Sequence, residues 1–206
     1  MPISIVSVQR RIVLSGWLRN SETEHKDRVT LYPFRMVIGN ILDETAYHEA
    51  GHMTIAARVS LDLQQKGIVI YEVGNVTDGW AFYWEDNQQW KDILTALRAG
   101  HIAQQKKFPG SYSLGAEIDF KKFSYIVEQH FPGVVHSNME EETKKKASDL
   151  LNTHWSAVED VARGVIAADW LPVAPGEHER ATRMKRLDGN AVAAILASHN
   201  FQARVR

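Results

Sequence analysis

The chain has 206 residues, 44% of them hydrophobic and 24% charged, which is enough for a substantial core and unlike a disordered segment. A formal net charge of −1 and a pI of about 6.8 argue against a general binder of nucleic acid or anionic membrane. There is no cysteine, so disulfides and thiolate zinc sites are excluded and any metal must be held by His, Asp or Glu.

The chain opens with two short strand-like runs, Ile3 to Val8 and Ile12 to Leu14, followed by the charged loop "NSETEHKDR". Gln9, Arg10 and Arg11 interrupt what would otherwise be a signal peptide's apolar region. No run approaches 18 apolar residues, so no membrane span is expected, and a cytoplasmic location fits. "LDETAYHEAGHMTIAARV" then reads as a helix with Asp43 as N-cap and Ala46, Ala50, Met53 and Ala57 on one face. Gly51 is costly there, by about 1 kcal/mol against alanine, and calls for a packing or access reason.

"GIVIYEVGN" and "GWAFYW", separated by "VTD", are expected to form a β-hairpin or adjacent strands. The apolar positions Trp90, Ile93, Leu94, Leu97 and Ile102 mark an amphipathic helix over 87–107. "FPGSYSLG" is a loop, and "AEIDFKKFSYIVEQHF" resumes a helical period until Pro132 and Gly133 stop it. One long helix is expected from about Asn138 to Trp170, then the loop "PVAPGEHERATR" and a short closing helix, "DGNAVAAILASH". The pattern implies a mainly α, α+β fold with a small β-sheet next to the first helix. An N-terminal segment, 1–40, would pack on a main domain at 41–206, giving one compact domain.

His48 and His52 are four apart, so on a helix both imidazoles project from one face and can bind one ion. Glu49, beside the first of them, is placed to take a proton from a metal-bound water, which zinc acidifies toward neutrality. The third ligand distinguishes classes of H-E-x-x-H enzyme. A metzincin would carry Gly and His where Ile55 and Arg58 stand, which excludes that class. Glu72 has a thermolysin-like spacing but lies in an expected strand, and Asp119 in "LGAEIDFKKF" is the other candidate.

"TAYHEAGH", a small sheet, and "SLGAEIDFKKF" far downstream together resemble the peptidase domain of the FtsH family of ATP-dependent zinc metalloproteases. The tail "LLNTHWSAVEDVARGVIAADWL...LDGNAVAAIL" is also similar to that family's closing helices, so the resemblance spans residues 41–198. It implies zinc held by His48, His52 and Asp119, with Glu49 as catalytic base. The chain departs from the family in place of its L-G-G-R-A-A-E stretch, where "LRAGHIAQQ" stands. It also lacks a G-x-x-x-x-G-K-[ST] phosphate loop, so a stand-alone form without the ATPase and membrane segments is expected. Such a chain would hydrolyse peptides or unfolded protein without ATP. The resemblance leaves room for a homo-oligomer and for a separate ATPase partner. A different class, a catalytically idle regulatory or interaction protein on the same fold, is the rival reading.

Other features have plainer expectations. Trp80, Phe82 and Trp84 read as core facing the helices, with an aromatic wall beside a cleft as the alternative. His101, His130, His136 and His154 read as surface or satisfied core groups, and "EEETKKK" at 140–146 as a solvated helix face with i,i+4 pairs.

Overall fold

A computed structural model describes residues 41–85, 89–111 and 114–206. The strands expected at Ile3–Val8 and Ile12–Leu14, and the segment 1–40 as a whole, lie outside the described residues. Among the described residues are six helices and one four-stranded sheet, an α+β arrangement.

The first helix, α1 (Ile41–Arg58), is the centre of the domain. Every residue from Ala46 to Ala57 is buried. A helix with alanine, glycine and other apolar side chains on all sides can be enclosed on all sides, and α1 is: the sheet covers one flank and helices cover the others. Asp43 and Glu44 lie inside its first turn and Arg58 in its last, complementing the helix dipole. Asp43 is therefore not the N-cap that its residue type suggests.

The sheet has the order β2-β1-β4-β3, built from β1 (Leu63–Val73), β2 (Val76–Tyr83), β3 (Leu171–Pro172) and β4 (Arg183–Leu187), all antiparallel. The hairpin β1–β2 is present, but its turn is Gly74–Asn75 rather than "VTD", which lies within β2. Gly74 has φ 63°, the left-handed geometry that the first position of a II′ turn reserves for glycine. β4 occupies residues read as loop or left unassigned, because "RMKRL" has no alternating pattern until its neighbours cover it. Residues 204–206 extend this side of the sheet, with Leu63 N donating to Arg204 O at 2.8 Å and Arg206 N to Leu63 O at 2.9 Å.

Ile68, Ile70, Ala81 and Tyr83 pack in the main core with α1. Trp80 and Phe82, stacked 6.4 Å apart, instead join Val69, Tyr71 and Met184 in a second, small cluster on the opposite face. These aromatics therefore neither face the helices nor wall the flank where α1 lies. Trp84 is 38% exposed, with the Arg206 guanidinium 5.4 Å above its ring.

Helix α2 (Trp90–Lys107) packs along α1, and α3 (Leu114–His130) lies against α2. The single long helix expected next is two, α4 (His136–Thr153) and α5 (Trp155–Ala167), broken at His154 with φ −115° and ψ 26°. The break lets Trp155 reach Tyr47 of α1, at 6.0 Å between rings, while His154 meets Phe201 at 4.9 Å. Two separate helices satisfy both packings where one straight rod does not. The charged residues of the "EEETKKK" run are exposed, as expected, and Lys145 makes an i,i+4 pair with Asp149 at 2.7 Å. In addition, Glu140, Glu142 and Lys146 pair across to Arg98, Lys91 and Asp92 of α2, forming an interhelical seam that the expectation did not include. The closing helix α6 (Gly189–Ala197) is capped by Asp188, whose Oδ1 accepts from Ala191 N at 2.9 Å.

Among the described residues no helix is long and apolar enough to cross a membrane.

Candidate metal centre

Three elements meet around the H-E-x-x-H turn of α1. Helical spacing turns His48 and His52 to one side, with ring centroids 4.7 Å apart and both side chains buried. Asp119 enters from the first turns of α3, and its Oδ2 lies 3.0 Å from His48 Nε2 and 3.1 Å from His52 Nε2. Of the two sequence candidates for a third ligand, only Asp119 reaches the histidines. Glu72 lies on β1 with both oxygens engaged by Arg183, at 2.6 and 2.7 Å.

The tautomers follow from the other ring nitrogens. His52 Nδ1 lies 2.7 Å from Ala96 O, an acceptor only, so Nδ1 carries the proton and Nε2 presents a lone pair. His48 Nδ1 lies 3.2 Å from Gln104 Oε1. The Gln104 amide nitrogen donates to Glu44 Oε2 at 3.4 Å and Ser111 Oγ at 3.1 Å, which turns its oxygen toward His48. His48 therefore also holds its proton on Nδ1 and aims a bare Nε2 at Asp119. Two lone pairs and a carboxylate oxygen facing one point are mutually repulsive unless a proton or a cation sits among them.

The donor set fits zinc. The three ligand atoms all lie within 4.8 Å of one another. A tetrahedral ion with bonds of about 2.0–2.1 Å spaces its donors roughly 3.3 Å apart, close to the two separations to Asp119. Nδ1–H bonds to a carbonyl and an amide are the outer partners that orient zinc-binding imidazoles. Protons compete for the same atoms. Burial lowers the affinity of His52 for a proton, but the Asp119 charge and hydrogen bond outweigh burial and raise it above its ordinary value. Burial likewise pushes Asp119 up, yet His52 and His48 together hold its carboxyl well below the usual carboxylate range.

Glu49 is 5% exposed and lies under Gly79 of β2, near enough to the centre to feel the charges of His48 and Asp119. Burial pushes its pKa up to about 8; His48 opposes this, Asp119 and Asp78 add to it, and a hydrogen bond from the Ala81 backbone opposes it again. The site also depends on two glycines outside α1. A Cβ on Gly100 would lie 2.3 Å from His52 Nε2 and 2.8 Å from His48 Nε2, and one on Gly79 would lie 2.6 Å from Glu49 Oε1. Gly51 serves packing instead, since a Cβ there would meet Ala99 O and Ala103 Cβ of α2, each at 2.7 Å.

Sequence reasoning did not single out Gly79, Gly100, Gln104 or the carbonyl of Ala96. Only the mismatch of Gly100 with helix propensity signalled any of them. His130 stacks on Trp90 at 3.6 Å, His136 lies 4.0 Å from Glu128, and His154 Nε2 accepts from Arg58 Nε at 3.0 Å. These three are partnered away from the centre, as expected. His101 is not: its Nδ1 is buried with no hydrogen-bond partner among the described residues. A scan of protein-family models and a search of curated proteins each return no match for this chain.

Proposed function

We propose that this chain is a zinc-dependent metallopeptidase that hydrolyses peptide bonds in peptides or unfolded protein without ATP. The observation that carries this reading is the convergence of His48 Nε2, His52 Nε2 and Asp119 Oδ2 on one point, with Glu49 adjacent on the same helix. Zinc, when bound there, polarises a scissile carbonyl and acidifies water. His48, His52 and Asp119 would hold it, with Gln104 and Ala96 O orienting the two rings. Glu49 takes the proton from the attacking water as its oxygen bonds to the carbonyl carbon. The same carboxyl then gives that proton to the amide nitrogen as the C–N bond breaks, leaving a carboxylic acid and an amine, which exchange the remaining water proton to become carboxylate and ammonium. Burial makes the Glu49 carboxylate a stronger base than an exposed one, which favours its taking the proton.

Substrate binding is supported by β2, an edge strand among the described strands, whose Gly79 and Ala81 border Glu49. An extended peptide can add to such an edge by main-chain hydrogen bonds. Zinc ligation by His and Asp alone, in a chain without cysteine, accords with a reducing cytoplasm.

Metal analysis paired with a casein or peptide cleavage assay tests the reading. Wild type should carry about one zinc per chain, and Glu49→Gln should retain zinc while losing cleavage by about 10²- to 10⁴-fold. Zinc bound without cleavage in wild type would leave an idle fold and end the enzyme reading.

A further inference from the structure

Of the three residues at the centre, Asp119 alone lies outside α1, so its approach to His48 and His52 depends on another helix. Its position is set by how α3 docks on α2, and the residue next to it makes that contact. The Phe120 ring lies 4.3 Å from the Arg98 guanidinium and 5.9 Å, edge-on at 61°, from the His101 ring. Arg98 and His101 are one turn apart on α2, so both face α3. Arg98 is itself held, since Nη2 donates to Glu140 Oε1 of α4 at 2.9 Å and its guanidinium lies 5.8 Å from the Phe123 ring.

These are expensive side chains to enclose. Arg98 is buried, and Arg98 Nε and His101 Nδ1 are two of four buried side-chain polar atoms without a hydrogen-bond partner among the described residues. Both side chains meet one ring, that of Phe120, which is itself 38% exposed. Farther along, α3 is anchored by buried Phe123, Ile126 and Val127 and by the stack of His130 on Trp90. Lys122 to Glu85 joins partly exposed groups, and such pairs are worth little. Phe120 is the contact at the Asp119 end.

We propose that Arg98 and His101 form a bracket around Phe120 that holds Asp119 at the metal position, so that all three set zinc affinity without touching the ion. They are positioning residues, and the proposal rests on the zinc reading given above.

Zinc dissociation constants from chelator competition test it, alongside the visible absorption of the cobalt(II)-loaded protein and circular dichroism of the metal-free protein. Phe120→Ala should weaken zinc binding by about 10- to 100-fold, the usual cost of losing an outer partner of a ligand. Arg98→Met should act in the same direction, and Arg98→Lys, which keeps the cation, should recover part of the loss. Cobalt absorption should fall toward that of Asp119→Ala. The decisive comparison is Phe120→Ala in an Asp119→Ala background, where a residue acting through Asp119 has no further effect. Equal weakening in both backgrounds, or wild-type affinity in Phe120→Ala and Arg98→Met, overturns the bracket while leaving the zinc site intact. A wild type that binds no zinc overturns both. Should Phe120→Ala fail to fold, Phe120→Leu keeps apolar volume without the ring and carries the same comparison.

Discussion

Gly79 approaches Glu49 so closely that a Cβ on it would lie 2.6 Å from Glu49 Oε1 and 2.8 Å from its Cγ. The edge strand therefore forms the lid over the proposed base, and only a residue without a side chain permits that distance. Gly79→Ala should push the carboxyl away from the metal position. We expect kcat to drop about 10²-fold, the scale of a 1 Å misplacement, with zinc content unchanged. Steady-state kinetics with metal analysis measure this, and unaltered kcat would show that Glu49 has another place to go.

Glu49 also makes stability depend on pH. Burial raises its pKa from 4.5 to about 8, so between those values the folded metal-free protein keeps a proton that the unfolded chain has released. Stability is then full below the unfolded value and falls as pH rises through the folded one. Calorimetry of chelator-treated protein should show a falling melting temperature from about pH 5 to about pH 8. Glu49→Gln should flatten that slope, and a parallel slope in both proteins would remove Glu49 as its source.

The glycines at 51 and 100 invite the same substitution with different consequences. Gly51→Ala presses on backbone and on Ala103 between α1 and α2, a pure packing fault expected to cost about 1–3 kcal/mol. Gly100→Ala presses on both Nε2 atoms and should additionally weaken zinc binding by about 10- to 100-fold. Urea unfolding with and without zinc, read beside chelator competition, separates the two. Equal zinc affinity in the two variants would refute the role given to Gly100.

Lys185 is 6% exposed and donates from Nζ to Ile166 O at 2.8 Å and to Ala168 O, closing the C-terminal turn of α5 with a positive charge. Lys185→Met keeps the apolar stem but strands those carbonyls, so a loss of about 1–3 kcal/mol is expected in denaturant unfolding. No change in zinc affinity should accompany it, because the ammonium is spent on the end of α5 and β1 lies between β4 and β2. A variant as stable as wild type would mean that water replaces the ammonium at no cost.

Much of this molecule is legible in one dimension. Helical periodicity places His48, Glu49 and His52 on one turn, because four residues make about one revolution whatever surrounds them. The hairpin and the helices that follow can be read in the same way, since apolar spacing and glycine turns act locally. The reading failed where a local pattern was overruled from afar. The break at His154 serves contacts of Trp155 with Tyr47 and of His154 with Phe201, residues far away in sequence. β4 is a strand because β1 and β3 pair with it, and the aromatics of β2 face away from α1 because register decides faces.

The centre divides in the same way. Sequence alone determines a pair of imidazoles one turn apart with a carboxylate beside them, since covalent neighbours on a helix need no further instruction. It also offers both Glu72 and Asp119 as a third group. Tertiary structure decides between them, spending Glu72 on Arg183 and bringing Asp119 across 67 residues to His52 and 71 to His48. It alone reveals that Gly79 and Gly100 are clearance, and that Gln104 and Ala96 O leave both Nε2 atoms bare. The physical reason is that ligation depends on distances of about 2–3 Å between atoms remote in the chain. Only the packing of α3 on α2 and of β2 on α1 sets those distances.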